Sequence, residues 1–348
     1  MSNTNITTIL LMIFIPFVFV VLAIPFVKKI ATHVGALDIP NERKVHKTPM
    51  PRLGGIGIYG GFLLGYMVFG EHTAIMNSIL IGSFILIITG MIDDIKPLNP
   101  FPKFIGQLAS ALIVVIYGNL LLRDVTFLGL YIDFKIFAYP ITVLFILGCI
   151  NCLNLIDGLD GLAAGISSIF FLTIGIIAYF QGRIGLSFVL TFIMLGSTLG
   201  FLVHNFNPAK IFMGDSGSMF LGFIISVITL LGFKTILTSS IIIPLCILVV
   251  PILDTACAII RRKLKGESIG TPDKSHFHHQ LLRRNCGVRK TVLIIYLITA
   301  LFSLASIIWL LVDYNIGYIV YGVLMIGLMI FVFKTDILFE RKKERKLK

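Results

Sequence analysis

A polytopic bundle of transmembrane α-helices is the fold class this sequence predicts, and three observations carry it. Hydrophobic residues make up 57% of the chain and charged residues only 13%, about half the charged share of a soluble domain. Apolar stretches of about 18–22 residues recur along all 348 positions, each long enough to cross a hydrocarbon core of about 30 Å. None shows the alternation in segments of about ten residues that a membrane barrel requires. Backbone groups in lipid need partners within their own segment, so the stretches are expected to be helices.

Taken in order, eleven spans are expected, at about 6–27, 53–70, 75–92, 103–121, 138–156, 160–180, 185–203, 216–233, 239–260, 291–312 and 316–333. The first has no basic segment before it and no small-residue cleavage pattern after it, and reads as an uncleaved helix. The second carries Gly57, Gly61 and Gly65 at every fourth position, a spacing that lets helices approach closely and is expected to serve packing. Residues 122–137 alternate apolar and polar and predict a small hairpin between the fourth and fifth spans. Cys149 and Cys152 form a C-x-x-C inside the fifth span, where packing rather than redox chemistry is expected. The chain reads as one membrane-embedded domain over residues 1–348, ending in a basic tail at 334–348.

Lys and Arg set the orientation. With the N-terminus outside, the inner segments 28–52, 93–103, 157–160, 204–215, 261–290 and 334–348 hold 25 of the 29 Lys and Arg residues. The outer segments keep Arg123, Lys135, Arg183 and Lys234. The C-terminus is therefore expected in the cytoplasm. The net charge of +12 is mostly this asymmetry, and no nucleic-acid partner is implied.

The residues with chemical potential lie on the same inner side. NERKVHKTPMPRLGG (Asn41–Gly55) is a basic loop punctuated by proline and glycine, with Lys47 and Arg52 suited to phosphate oxygens. MIDDIKP places Asp93 and Asp94 at a helix C-terminus, the unfavourable end of the dipole for carboxylates. A divalent ion, or Lys96 and Lys103, would compensate them. NCLNLIDGLDGLAAG breaks an apolar pattern with Asn151, Asn154, Asp157 and Asp160, and supplies no cation of its own. HNFNPAKIFMGDSGSMF sets Asp215 and Ser216 between Gly214 and Gly217 just before a helix. That is a place for a phosphate or for a simple N-cap. TPDKSHFHHQLLRRN brings His276, His278 and His279 beside Lys274, Arg283 and Arg284. It lacks the cysteine or H-E-x-x-H pattern of a zinc site and suits a diphosphate at least as well. Together these loops suggest magnesium-and-phosphate chemistry at a membrane surface, since Mg²⁺ favours few carboxylates plus phosphate oxygens.

Four of these motifs in order, MIDDIKP, NLIDGLDG, IFMGDSGS and PDKSHFHHQLLRR, resemble those of the polyprenyl-phosphate N-acetylhexosamine-1-phosphate transferases, over about residues 35–290. PNERKVHKTPMPRLGG and the histidine run interrupted by Phe277 resemble the WecA/TagO type rather than the phospho-MurNAc-pentapeptide translocase branch. The resemblance implies a bacterial plasma-membrane enzyme with its active site on the cytoplasmic face. It would transfer N-acetylglucosamine 1-phosphate from UDP-N-acetylglucosamine, or a related UDP-N-acetylhexosamine, to undecaprenyl phosphate, releasing UMP as the first membrane step of a cell-envelope polysaccharide or teichoic acid pathway. It further implies Mg²⁺ (with Mn²⁺ as a substitute) held by Asp94 and Asp215, Asp93 as a base or nucleophile, and Lys103 on a phosphate. Asn151, Asn154, Asp157 and Asp160 would line the nucleotide pocket, with Phe212 near the uracil and His276, His278 and His279 near the sugar or diphosphate. Dimerisation is left open. The peptide-bearing donor is the alternative within the family. An ion-coupled secondary transporter is the alternative of another class, and it would place acids near helix midpoints instead of inner ends.

Overall fold

Apolar runs with no competing polar pattern form long helices in lipid, and helices that carry small and polar residues pack inside the bundle while the most apolar face the hydrocarbon. The computed structural model describes residues 5–40, 48–127, 130–232, 242–264, 266, 276–284 and 286–334. Its elements begin with α1 (Ile6–His33), the short antiparallel pair β1 (Leu37–Asp38) and β2 (Met50–Pro51), α2 (Gly54–Phe69) and α3 (Ala74–Ile95). Next comes α4 (Pro100–Leu112), which runs on through a π-helical turn at Ile113–Tyr117. β3 (Asp124–Phe127) and β4 (Leu130–Asp133) pair antiparallel, with Asp124 opposite Asp133, as the hairpin predicted for 122–137. α5 (Ala138–Ile156), α6 (Leu162–Phe180), α7 (Leu186–Asn205) and α8 (Gly214–Gly232) follow. The chain continues with α9 (Ile242–Ile247), α10 (Val249–Leu264), α11 (Phe277–Arg283), α12 (Val288–Leu311) and α13 (Tyr314–Lys334).

Among the described residues, nine helices are long and apolar enough to span a membrane. Two of the eleven expected spans differ. The span at 53–70 is the 16-residue α2, about 24 Å long at 1.5 Å per residue. The span at 239–260 is divided into α9 and α10. The break falls where Pro251 offers no N–H to the carbonyl of Ile247, four residues earlier. Most of the tail at 334–348 lies outside the described residues.

α8 is the centre of the bundle, with 89% of its most apolar window inside the protein, against 22% for α1 and for the C-terminal span. It packs against α2, α3, α5 and α7, and glycines set how closely. A β-carbon at Gly55 would lie 2.1 Å from the backbone nitrogen of Gly217, and one at Gly90 2.3 Å from Cα of Ser216. Both are closer than atoms can come, so α2 and α3 meet the start of α8 backbone to backbone. The stripe of Gly57, Gly61 and Gly65 faces Ile24, Val20 with Ser197, and Ile193, as a packing role requires. These contacts hold the N-terminal end of α8 among the loops.

Candidate active site

The two adjacent acids at the end of α3 point in different directions, and their surroundings explain how each is tolerated. Asp94, its side chain fully buried, accepts the backbone N–H of Asp215 at 2.8 Å through Oδ1. Its Oδ2 accepts the backbone N–H of Ser216 at 3.2 Å and the Ser216 hydroxyl at 2.8 Å. A carboxylate at the wrong end of its own helix thus caps the start of another, where four N–H groups lack helical partners and the dipole favours negative charge. Gly214 makes the approach feasible. Its φ of +75° suits glycine, and a β-carbon there would sit 2.4 Å from Oδ2 of Asp94.

Arg52 joins this cap to the rest of the cluster. Its guanidinium lies 3.1 Å from Asp94, 3.3 Å from Asp215 and 3.4 Å from Asp38. The backbone aims it. Phe212 donates its N–H to the carbonyl of Pro51, and Gly54 donates to the carbonyl of Phe212, so Arg52 bridges to Phe212 as a parallel strand would. From α4, Lys103 pairs with Asp215 and reaches Asp93 at 3.8 Å. Asp93 also accepts the N–H of Leu98 at 2.9 Å. Four carboxylates (Asp38, Asp93, Asp94, Asp215) thus share two cations in these contacts.

Beside the cluster opens a cavity of about 640 Å³, with Arg52 and Asp215 on its wall, a size typical of small-molecule sites. Asn154, Asp157, Asp160, Phe212 and His279 also line it. Asn154 donates to Ser218 of α8 at 2.9 Å. Asp160 accepts from the Asn207 amide at 2.8 Å and the Ala209 N–H at 3.0 Å, fixing the turn that leads to Phe212. Asn205 receives the N–H of Gly161 and donates to the carbonyl of Ile211, tying the same two loops together. Asn151 lies outside that lining, donating to Gln107 of α4 at 2.9 Å. Lys47 falls outside the described residues.

Asp157 is partly exposed to the cavity, yet enclosure of its carboxyl pushes it up to about 7, with Asp94 and Asp160 adding to the rise and Arg52 opposing it. Its unfolded value is about 3.9, so between about pH 4 and 7 the folded protein binds a proton that the unfolded chain lacks, and stability falls as pH rises. Asp157→Asn is expected to remove this decline. Thermal unfolding midpoints at about pH 4.5 and 7 check it; an unaltered difference between them would mean that the carboxyl is not enclosed.

The histidine segment lies against the same loop. His278 is buried, and a β-carbon at Gly158 would come 2.6 Å from its Nε2. Burial, then the neighbouring His279, lowers its imidazole to about 3, so it is neutral at physiological pH. The ring of His276 lies parallel to that of His278, with centroids 5.7 Å apart. His276 is buried as well and meets Asp254 of α10.

Several of these residues escaped the sequence reading. Asp38 was hidden because its partner Arg52 lies 14 residues further along the chain. Gln107 sits four positions after Lys103, on the same helix face, and that spacing was the available signal. Asn207 lies in the amide-rich HNFNP stretch, two positions after Asn205, which the inner-loop reading already included. Ser216 and Ser218 were legible as a helix start, but the cap comes from Asp94 and not from a side chain within the segment.

Asp94 is expected to hold Mg²⁺, yet both its oxygens already accept bonds from α8. Asp93 and Asp215, which converge on the ammonium of Lys103, present the donors that better suit a cation. Among the described residues no three His, Cys, Asp or Glu side chains form a ready cage. A pair of carboxylates is a donor set that Mg²⁺ could use, since that ion takes one or two carboxylates and completes its shell with water and substrate phosphates.

The model of glycosyl transferase family 4 matches residues 76–233, which run from α3 to the end of α8. The chain is 44% identical over 292 residues to a probable undecaprenyl-phosphate N-acetylglucosaminyl 1-phosphate transferase of Bacillus subtilis, covering 83% of this chain and 81% of that one. It is 32% identical to a decaprenyl-phosphate N-acetylglucosaminephosphotransferase of Mycobacterium tuberculosis, over 78% of this chain and 75% of the other. Identity is 30% to an undecaprenyl-phosphate alpha-N-acetylglucosaminyl 1-phosphate transferase of Escherichia coli K12, over 84% and 80%.

Proposed function

We infer that this chain, which belongs to glycosyl transferase family 4, transfers N-acetylglucosamine 1-phosphate from UDP-N-acetylglucosamine to undecaprenyl phosphate and releases UMP. The observation that carries the reading is the meeting of the Arg52, Lys103, Asp93 and Asp215 cluster with a nucleotide-sized cavity. In the reaction an oxygen of the lipid phosphate attacks the phosphorus bonded to the sugar. The bond from that phosphorus to the bridging oxygen breaks, and UMP leaves with the oxygen. A phosphate monoester has its second pKa near 6, so the acceptor is already mostly ionised at neutral pH and needs little help from a base. Positioning and charge neutralisation are then the main work.

Arg52 and Lys103 have the charge and the placement to hold phosphate oxygens. Asp93 and Asp215 would hold Mg²⁺ (or Mn²⁺), which would supply neutralisation of the diphosphate when bound. Asp94 keeps the N-terminus of α8 and the side chain of Arg52 in register with them. Phe212, Asn154, Asp157 and Asp160 form the wall for the nucleotide, and His278 and His279 close the side nearest the Gly158 loop. Eleven membrane passages, with the N-terminus outside and the loops of the site in the cytoplasm, accord with the distribution of Lys and Arg. The placement of the acids also speaks against a transporter. They gather at helix ends, and Asp254, inside α10, is tied to a histidine.

The test is UMP release by purified protein with undecaprenyl phosphate and a panel of UDP-sugars, with and without Mg²⁺. Release from UDP-N-acetylglucosamine, dependent on Mg²⁺, is the expected result. Turnover with the pentapeptide-bearing donor alone would reassign the branch. Ion-driven uptake in proteoliposomes without any UMP would favour the transporter.

A further inference from the structure

Asp254 is a buried acid that plays no part in the transfer described above. It sits in the second turn of α10, 3% exposed. One oxygen accepts the backbone N–H of Phe277 at 2.7 Å, and the other meets Nδ1 of His276 at 3.0 Å. A carboxylate can only accept hydrogen bonds, so the proton of His276 must be on Nδ1. Nε2 is then the ring nitrogen left for any further partner. The two bonds do different work. The one to Phe277 fixes where α11 begins, and the one to His276 fixes the rotation and tautomer of the ring. Both matter to the cavity because the ring of His276 is stacked on His278, which touches the Gly158 loop, and lies 6.2 Å from His279 on the cavity wall.

We propose that Asp254 is a positioning residue of the transfer reaction, holding His276 as the Nδ1–H tautomer and anchoring the His276–His279 segment against the donor cavity. The inference rests on reading that segment as part of the donor site, and it adds a residue outside the four motifs. No other carboxylate lies within the segment itself, so the orienting group comes from a neighbouring helix 22 residues earlier in the chain.

Asp254→Asn separates the two bonds. The amide oxygen can still accept from Phe277, while the NH₂ group donates to Nδ1 of His276 and drives its proton to Nε2. The variant is expected to unfold within about 3 °C of the unaltered protein. Its kcat/KM for UDP-N-acetylglucosamine should fall about ten- to a hundredfold, as displacements of this kind do. In a His276→Ala background the same substitution should cost less than about threefold more, because both changes remove one interaction. Unaltered kcat/KM in Asp254→Asn, or losses that multiply fully in the double variant, would overturn the proposal. Should the Asn variant fail to fold, nitrogen NMR of the unaltered protein labelled at its seven histidines decides the matter. One imidazole must appear as Nδ1–H, and all seven as Nε2–H would refute it. If the unaltered protein releases no UMP, the functional reading fails, while the tautomer is still read.

Discussion

Asp215→Asn is expected to lower UMP release by about a thousandfold or more, comparable to removing a principal electrostatic contact of a transition state, while leaving the protein folded. The substitution keeps side-chain volume and removes one charge. Asp215 stands where the cavity meets the cluster, with Arg52 at 3.3 Å, Lys103 paired to its other oxygen and 17% of its side chain exposed. Its link to Asp94 uses the backbone N–H and survives the change. What is lost is a carboxylate where the diphosphate is proposed to react, together with the anchor that keeps Lys103 in place. His278→Ala should be milder, about tenfold, because a neutral buried ring against Gly158 positions a wall and carries no charge. Initial rates at saturating Mg²⁺ make the comparison. Near-normal turnover in the Asp215 variant under those conditions would remove it from the reaction.

The helices were legible because lipid leaves few options. A run of about 20 apolar residues must be helical, and such runs became the long helices of the bundle. The break between α9 and α10 was less legible, since Pro244 and Pro251 both lie in the apolar run and hydropathy cannot say which will interrupt it. For the site, residue types revealed which loops matter but not which partners they choose. Asp94 illustrates the gap. From the sequence it was an acid at the unfavourable end of a helix that awaited a cation. Its partners are the start of α8, 121 residues away, and Arg52 beyond a different loop. Nothing local encodes such a contact; it exists because Gly55, Gly90 and Gly214 let three backbones and a carboxylate converge. Asp254 and His276 repeat the pattern, an acid within one helix serving the start of another.

Asp94→Asn should differ from Asp215→Asn in kind, because the two acids hold different things. Both oxygens of Asp94 face donors: Oδ1 the N–H of Asp215 and the guanidinium of Arg52, Oδ2 the N–H and hydroxyl of Ser216. An asparagine has one accepting oxygen, so either orientation turns its NH₂ group toward hydrogen-bond donors. Arg52 loses its buried partner at the same time. Removing one member of a buried ion pair costs about 3–5 kcal/mol, and the partial exposure of Arg52 points to the lower end. The expected result is loss of detectable turnover together with a large drop in the unfolding midpoint, which Mg²⁺ does not restore. Asp215→Asn should instead keep its midpoint and lose only turnover. Thermal unfolding of both variants, with and without Mg²⁺, separates an architectural acid from a chemical one. An Asp94 variant as stable as the parent, in a measurement where Mg²⁺ raises the midpoint of the parent but not of the variant, would return Asp94 to the role of metal ligand.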